Sequence, residues 1–309
     1  MAEKRILVTG ASGFVGPHVV AALIKAGYRP RLAQRVPRPV PSGAEAVVTG
    51  DLSAPVDWRA AVEGIDHVVH MAGLAHAGPG LDEALYRRIN TEATLELASA
   101  AERAGAQRFV YLSSIKALTD AFDGPPLSEE MRPAPGDAYG RSKLAAEQGL
   151  AEFGLDWITL RPVLIYGPGV KANMAALLRL ARLPVPLPFG GLKAPRSLLA
   201  VENLASAILF ALTPACPARR SYVLSDPEPI SVSNMLAAMR AGLGRGPGLL
   251  PVPEAWLRWL AHLAGRDETF SKLTGSIVAR PERLLSAGWR PQVETKAGLM
   301  RLAASSRAG

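Results

Sequence analysis

Cysteine is almost missing from this sequence of 309 residues. Cys216 is the only one, so no internal disulfide can form, and its loop offers no obvious base to activate a thiol. No apolar run approaches the length of a helix that spans a bilayer. Residues 1–5 lack the plan of a signal peptide and lead directly into an apolar strand. These absences predict a cytoplasmic protein with no membrane partner.

Blocks of like charge are missing as well. The formal net charge is +8, but the 35 basic residues are scattered and are not interleaved with aromatic residues. An excess of basic over acidic residues favours anionic partners. Because the basic residues are scattered along the sequence, we expect small phosphorylated ligands rather than nucleic acid. Histidine, cysteine and carboxylate residues nowhere show the spacing of metal ligands, so no metal site is predicted.

The N-terminus contains a strand, a glycine turn and a helix in succession. The apolar run 5–9 predicts a buried strand, and the periodic segment 14–26 predicts a helix. In the turn between them, Gly10 permits a tight bend, Gly13 lets backbone approach a pyrophosphate, and Gly16 allows close packing. The helix N-terminus attracts phosphate. This context predicts a dinucleotide site that also includes Ser12, Phe14 and Val15.

The second predicted strand, 31–35, indicates the type of dinucleotide. Chains that bind NAD place an acidic residue at the end of this strand to hold the ribose 2′-hydroxyl. Here the strand ends in Gln34 and Arg35, and Arg38 follows. The missing acid and the arginines favour a 2′-phosphate, and therefore NADP over NAD, with NAD left open.

Strands and helices alternate through the first half of the chain. Further strands are predicted at 46–52, 66–73, 108–114 and 155–160, and a long helix at 81–104. This alternation predicts an α/β fold with a doubly wound, Rossmann-type parallel sheet and ligands at the carboxyl ends of its strands. We expect residues 1–165 to form the dinucleotide-binding domain. Residues 166–309 form mainly a smaller, partly interleaved substrate-binding lobe, with about 196–225 returning to the sheet.

Tyr139 and Lys143 are the strongest catalytic candidates. Four residues apart on a helix predicted at 137–153, which Asp137 caps, they share one face. A fixed ammonium beside the phenol is expected to lower the pKa of Tyr139 from about 10. A phenol tuned in this way can exchange a proton with a carbinol or carbonyl oxygen near neutral pH.

The chain resembles the extended short-chain dehydrogenase/reductase family, which contains nucleotide-sugar epimerases, dehydratases and reductases. Ser114 precedes Tyr139 by the spacing typical of that family, 139 − 114 = 25 residues. The other motifs that carry the resemblance are Thr9-Gly10-x-x-Gly13-x-x-Gly16, Gly50-Asp51-Leu52, His70-Met71-Ala72-Gly73, Asn90, Tyr139-x-x-x-Lys143, Arg161-Pro162, Tyr166-Gly167-Pro168-Gly169, Arg196 to Asn203, and Ala287-Gly288-Trp289-Arg290-Pro291.

The resemblance implies a role for each catalytic residue. Tyr139 would be the acid/base at the sugar O4, Ser114 would hydrogen-bond the same oxygen, and Lys143 would hold the nicotinamide ribose. Asp51 and Leu52 would border the adenine. A homodimer formed through helices 81–104 and 137–153 is also implied. The remaining residues assigned to the cofactor are Arg35, Met71, Ala72, Gly73, Asn90 and Pro162.

Departures from the family pattern reduce the number of reactions that the chain is expected to catalyse. The 4,6-dehydratases carry an Asp-Glu pair directly after the active Ser or Thr, but Ile115 and Lys116 stand here. The chain looks closest to bacterial 4-keto-sugar reductases and 4-epimerases that act on UDP-N-acetyl-hexosamines in surface-polysaccharide synthesis. The resemblance places Asn173 and Arg196 at the UDP part, with Arg196 on the diphosphate. The substrate-binding set is completed by His76, Lys116 and Arg280.

Three functions remain open on these residues. The leading expectation is an NAD(P)-dependent reductase that acts at C4 of a UDP-linked 4-keto-hexosamine. The alternative is a UDP-sugar 4-epimerase with retained NAD, which uses the same constellation and returns the hydride to the opposite face. The third is an assembly protein that binds a dinucleotide and has lost catalysis, which the intact Ser114, Tyr139 and Lys143 disfavour.

Overall fold

The computed structural model describes residues 4–75, 82–120 and 124–306. The strands are β1 (Arg5–Thr9), β2 (Arg29–Gln34), β3 (Glu45–Val48), β4 (His67–His70), β5 (Arg108–Leu112), β6 (Asp156–Pro162), β7 (Leu164–Tyr166), β8 (Pro195–Arg196), β9 (Leu198–Ala200), β10 (Arg220–Leu224) and β11 (Ile230–Ser231). The helices are α1 (Gly16–Lys25), α2 (Arg59–Val62), α3 (Glu83–Tyr86), α4 (Ala93–Arg103), α5 (Ala138–Leu150), α6 (Ala172–Arg182), α7 (Val201–Ala211), α8 (Val232–Gly242), α9 (Glu254–Leu263), α10 (Asp267–Thr274), α11 (Glu282–Ser286) and α12 (Thr295–Ser305).

A parallel sheet of seven strands within the described residues forms the centre of the molecule, in the order β10-β6-β5-β4-β1-β2-β3. Its central strands are apolar without alternation because both faces are covered. Ile6 packs in one core with α1 and α7, and Leu7 packs on the opposite face with α4 and α5. The predicted doubly wound, Rossmann-type fold is therefore confirmed.

The strand order fixes where a ligand can bind. From β1 the chain first adds β2 and β3 on one side, and then crosses back to place β4 on the other side. In open α/β sheets the crevice outside such a switch point, at the carboxyl ends of the strands, is the ligand site. Here that crevice lies beyond the ends of β1 and β4.

The C-terminal half builds a second core. Its apolar cluster is formed largely by α6, α8 and α12, beside two small sheets that pair β7 with β9 and β8 with β11. Among the described strands of this half, only β10 joins the large sheet, where it pairs with β6. The domain division near residue 165 stays a prediction. In the described part of the chain no helix is long and apolar enough to cross a membrane.

The long helix predicted over 81–104 is interrupted. Its described part consists of α3, a π-helical segment over Arg87–Glu92, and α4. The extra residue of a π-turn rotates the side chains that follow it, and such segments are frequent at functional sites. Asn90, one of the predicted cofactor residues, lies within this segment.

Candidate active site

A cavity of about 970 Å³ lies at the carboxyl ends of β1, β2 and β4. It is lined by the glycine turn, the end of β2, the segment 49–52 and the segment 71–74. Among the residues predicted to bind a cofactor, the lining includes Gly10, Ser12, Gly13, Arg35, Asp51, Leu52, Met71, Ala72 and Gly73.

The glycine turn leaves no room for side chains at two positions. Gly10 has φ +73°, and a Cβ built there would lie 2.6 Å from the backbone nitrogen of Ala72. A Cβ at Gly16 would lie 2.2 Å from the Ala11 carbonyl oxygen. At Gly13 the nearest protein atom to a built Cβ is the Gly10 oxygen at 3.3 Å, so this part of the turn is more open. This open, side-chain-free cradle at the start of α1 fits the pyrophosphate of a dinucleotide.

Other predicted residues of this region pack within the protein. The Phe14 ring meets His18 edge-on, with centroids 6.3 Å apart, and Val15 packs against the main core. Pro162 is the buried last residue of β6 and pairs with Leu224. Val15 offers no side-chain cap to α1, so the first N–H groups of that helix have no capping side chain at that position.

An oppositely charged pair, Arg35 and Asp51, lies at the adenosine end of the predicted site. Arg35 Nη1 lies 3.3 Å from Asp51 Oδ2, and both side chains are exposed. Hydrogen bonds from Ser53 lower the pKa of Asp51, and Arg35 lowers it further. Gln34 holds the following turn, because its Oε1 accepts from the Arg38 N–H at 2.8 Å.

The catalytic candidates meet at the end of β5. Asp137 caps α5 as predicted, accepting from the Gly140 N–H at 2.7 Å, and this places Tyr139 and Lys143 one turn apart. Ser114 caps the short 3₁₀ turn that follows β5 and hydrogen-bonds the Tyr139 hydroxyl. The sequence motifs are therefore brought together in space.

The predicted fall in the pKa of Tyr139 is wrong for this structure. Burial raises the pKa of Tyr139 to about 12, although the Ser114 hydrogen bond lowers it, and the charge of Asp137 raises it further. Spacing along the helix fixed the face that the tyrosine occupies but not the desolvation of the phenol, which disfavours the phenolate.

Lys143 extends past the tyrosine toward the end of the sheet. Its Nζ donates to the Leu112 carbonyl at 3.0 Å and lies 4.7 Å from the centroid of the Tyr111 ring. Burial lowers the pKa of Lys143 to about 8, and the charge of Glu147 opposes that shift. A Cβ at Gly73 would lie 3.1 Å from Nζ, so the ammonium borders the cavity wall.

Asn90 joins the cavity wall to the catalytic helix. Its Nδ2 donates to the Ser142 hydroxyl at 2.9 Å and to the Leu74 carbonyl at 3.1 Å, and its Oδ1 accepts from the Leu74 N–H at 2.8 Å. A Cβ at Gly73 would also lie 2.9 Å from Oδ1. Asn90 therefore holds the strand-end loop at a fixed distance from α5.

The sequence did not predict the buried ion pair of Glu147 and Arg161, which lies behind Lys143. Glu147 accepts from Arg161 Nε at 3.0 Å, and Arg161 Nη2 and the Ser113 hydroxyl also donate to it. The side chains of the pair are only 4% and 7% exposed, so the charges compensate one another in a desolvated site. The available signal was spacing, since Glu147 follows Lys143 by four residues on the same helix face.

A second missed feature is the hydrogen-bond chain through His70. Thr94 donates to the Asn90 carbonyl at 2.8 Å, so its oxygen accepts from His70 Nε2 at 2.9 Å. The other ring nitrogen accepts from Thr9, whose oxygen accepts from the Ala72 N–H. These hydrogen bonds assign the neutral Nε2–H tautomer to His70. Burial lowers the pKa of His70 to about 3. His70 is a packed strand-end residue that ties β1, β4 and α4 together.

The predicted substrate-binding residues lie in different places. Lys116 pairs with Asp137 and so lies beside the catalytic residues. Asn173 is exposed at the start of α6, and His76 lies outside the described residues. Arg196 donates to the Gly275 carbonyl. Arg280 lies 3.6 Å from Glu282 and is exposed.

One segment connects the two arginines. Residues 275–280 run beside β8 and β9, where Ser197 N–H donates to the Ile277 carbonyl at 2.8 Å. The backbone N–H of Arg280 donates to Leu127 at 2.9 Å. Within the described ranges, no group of three His, Cys, Asp or Glu side chains is placed to hold a metal ion.

Comparison with known proteins connects this geometry to a family. Residues 6–224 match the family described as "NAD dependent epimerase/dehydratase family". The chain is 33% identical over 313 residues to UDP-glucose 4-epimerase of Vibrio cholerae, covering 97% of this chain and 94% of that protein. It is 30% identical to ceramide reductase of Caulobacter vibrioides, covering 93% and 86%.

A solved structure agrees over the whole chain. UDP-glucose 4-epimerase of Thermus thermophilus, in complex with NAD, superposes with a TM-score of 0.74 at 26% identity, covering 99% of both chains. The prediction that the chain is an enzyme of this type is confirmed. The chain belongs to the NAD-dependent epimerase/dehydratase family, within the extended short-chain dehydrogenases/reductases that its motifs resemble.

Proposed function

We propose that this enzyme is a UDP-sugar 4-epimerase that retains NAD through its catalytic cycle. The observation that carries the proposal is the end-to-end similarity to the Vibrio cholerae UDP-glucose 4-epimerase, combined with Ser114, Tyr139 and Lys143 meeting at one strand end. This similarity favours the epimerase over the 4-keto-sugar reductase that the sequence motifs alone placed first.

The chain provides a place for each part of the dinucleotide. The turn at Gly13 and the start of α1 would take the pyrophosphate, and Asp51 with Leu52 would border the adenine. A dinucleotide held there would supply the hydride acceptor and donor for the sugar C4. Lys143, whose ammonium lies behind Gly73 of the cavity wall, would hold the nicotinamide ribose.

Proton transfer at the sugar O4 falls to Tyr139. With a pKa near 12 the phenol keeps its proton at neutral pH, so it acts readily as the acid. To act as the base it needs positive charge and hydrogen-bond donors that favour the phenolate. Ser114 supplies one such hydrogen bond, which already lowers the pKa of Tyr139.

We assign NAD rather than NADP to this site, against the expectation drawn from Gln34, Arg35 and Arg38. Gln34 holds the turn that contains Arg38, and Arg35 is paired with Asp51. The carboxylate of Asp51, ionised because its pKa is lowered, offsets the positive charge of Arg35 that a 2′-phosphate would need. The Thermus thermophilus structure was solved with NAD.

The substrate roles of Lys116, Asn173, Arg196, Arg280 and His76 remain part of the proposal, as does a homodimer. Lys116 has the strongest support, because its contact with Asp137 holds it next to the catalytic helix. Arg196 is the proposed diphosphate ligand, since a guanidinium can pair with two phosphate oxygens.

The test is turnover without added cofactor. Purified enzyme is incubated with UDP-glucose or UDP-N-acetylglucosamine, and the C4 epimer is followed by proton NMR. We expect interconversion, and mass spectrometry of denatured enzyme to release NAD. Tyr139→Phe should abolish turnover and keep the dinucleotide, whereas Tyr86→Phe, whose ring lies 6.2 Å away, serves as the matched control. Stoichiometric consumption of NADPH with a 4-keto-sugar would establish the reductase instead.

A further inference from the structure

Helix α9 turns its apolar stripe to solvent. Trp256, Trp259, Leu260 and Leu263 are between 51% and 65% exposed, while Leu257 is buried against the second core. At about 100° per residue the four exposed side chains fall within an arc of about 100°. An amphipathic helix of a globular protein normally buries such a stripe, so this one is available to a partner. We call these four side chains the α9 stripe.

More apolar side chains are exposed on the segments that lead into α9. Leu183, Val185 and Leu250 are 42%, 50% and 50% exposed. Backbone hydrogen bonds hold residues 187–190 against 248–250, directly before the helix begins. Exposed apolar side chains are therefore found on these two segments as well as in the α9 stripe.

The charge of the protein is concentrated in the same half. Residues 166–309 contain 18 Lys and Arg against 8 Asp and Glu, a net charge of +10, whereas residues 1–165 contain 17 against 19, a net charge of −2. Arg266 is exposed just after the helix, whereas Arg258 lies on the opposite side of α9 from the stripe and pairs with Glu254. Arg182 and Arg245 are exposed next to Leu183, where Arg245 donates to the Arg182 carbonyl.

We infer that the α9 stripe docks this half of the protein on an anionic lipid surface. An interfacial helix presents Trp and Leu to the acyl boundary, and basic residues to the anionic headgroups. The net charge of +10 carried by residues 166–309 matches an anionic surface and would repel the same half of an identical copy. The inference does not depend on the proposed epimerase function.

The size of the stripe also favours a lipid surface over a second copy of the chain. Its four side chains expose on the order of 400 Å², taking about 150–250 Å² for a whole aromatic side chain. A stable dimer needs about 800 Å² from each partner. The absence of a bilayer-long apolar run led the sequence to predict no membrane partner, but a helix in the interface plane needs no such run.

The chain contains its own fluorescent reporter for this contact. Of its five tryptophans, Trp58 and Trp289 are 3% exposed and Trp157 is half-buried, so Trp256 and Trp259 are the ones open to solvent. Their entry into the headgroup region should shift the indole emission to shorter wavelength. Vesicle sedimentation measures the binding itself.

The experiment compares full-length enzyme on vesicles rich in phosphatidylglycerol and on vesicles of phosphatidylcholine alone, at low and high salt. We expect at least about tenfold tighter binding to the anionic vesicles, which is lost at high salt, because each nearby basic residue adds about 1 kcal/mol. The variant Trp256→Ser/Trp259→Ser should reduce vesicle binding at least about tenfold. Val48→Ser, which alters a side chain 54% exposed on β3, should bind as the wild type does.

Circular dichroism and retention of the bound dinucleotide verify that each variant is folded. Equal vesicle binding by the wild type and the tryptophan variant would overturn the inference, as would equal binding to the two lipids. A wild type that ignores vesicles, and whose dimer dissociates in the tryptophan variant during analytical ultracentrifugation, would assign the stripe to a second copy instead.

Discussion

Replacing the buried lysine should stabilise the protein at neutral pH. Burial lowers the pKa of Lys143 from 10.5 to about 8, so keeping its ammonium charged inside the fold costs about 3 kcal/mol. Lys143→Met removes this cost and leaves the Leu112 carbonyl without its donor, which costs about 1 kcal/mol. The expected net gain at pH 7 is about 2 kcal/mol in the free energy of unfolding, with loss of turnover.

The pH dependence isolates the lysine from other groups. Because the folded pKa lies below the unfolded one, the unfolded state binds more protons between about pH 8 and about pH 10.5, and stability from this group rises with pH. Between about pH 7 and about pH 9.5 the wild type should gain about 2 kcal/mol relative to Lys143→Met. Urea unfolding of cofactor-free protein at each pH measures the difference, and Lys296→Met, at an exposed lysine of α12, is the matched control.

A constant difference between the wild type and Lys143→Met across this pH range would refute the reasoning, because it would mean that the ammonium is not desolvated in the fold. A destabilised Lys143→Met at pH 7 with the predicted pH slope would instead show that the Leu112 carbonyl and the packing around it outweigh the cost of the charge. The slope is therefore the decisive quantity.

Three further predictions follow from the same contacts. Glu147→Gln leaves its buried arginine partner without a counter-charge and should lower the free energy of unfolding by about 3–5 kcal/mol in urea titrations. Gly10→Ala drives a Cβ into backbone and should lose the retained dinucleotide, measured by the absorbance of released nucleotide, whereas Gly246→Ala meets nothing within 4 Å and should keep it. Asp137→Ala removes the cap of α5, costing about 1 kcal/mol, and should lower the pKa of Tyr139 in a spectrophotometric titration.

The sheet could be predicted because the apolar residues of each strand indicate a buried strand without knowledge of the rest of the fold. The middle residues of β1, β4 and β5 are apolar without alternation, which is what burial on both faces requires, and each strand lies within the range predicted for it. The glycine turn could also be predicted from the sequence. Gly10 has a positive φ that other residues rarely adopt, so a glycine is expected at this position.

What the sequence could not show depends on contacts between distant segments. Helical periodicity continues through 87–92, but the hydrogen bonds of Asn90 to the loop at Leu74 and to α5 accompany a π-helical segment there. The periodicity of α9 indicates an apolar face but does not indicate whether that face turns inward or to solvent. The pKa of Tyr139 was missed for a related reason, because burial is set by the whole fold and spacing along one helix does not report it.

If one active site epimerises C4 of a UDP-sugar with its own retained NAD, the purified enzyme needs no added nucleotide. Proton NMR of UDP-glucose and of UDP-N-acetylglucosamine incubated with the enzyme alone measures this. We expect at least one of them to approach an equilibrium mixture with its C4 epimer, and Tyr139→Phe to abolish the conversion. No conversion of either sugar by enzyme that releases NAD on denaturation would contradict this expectation.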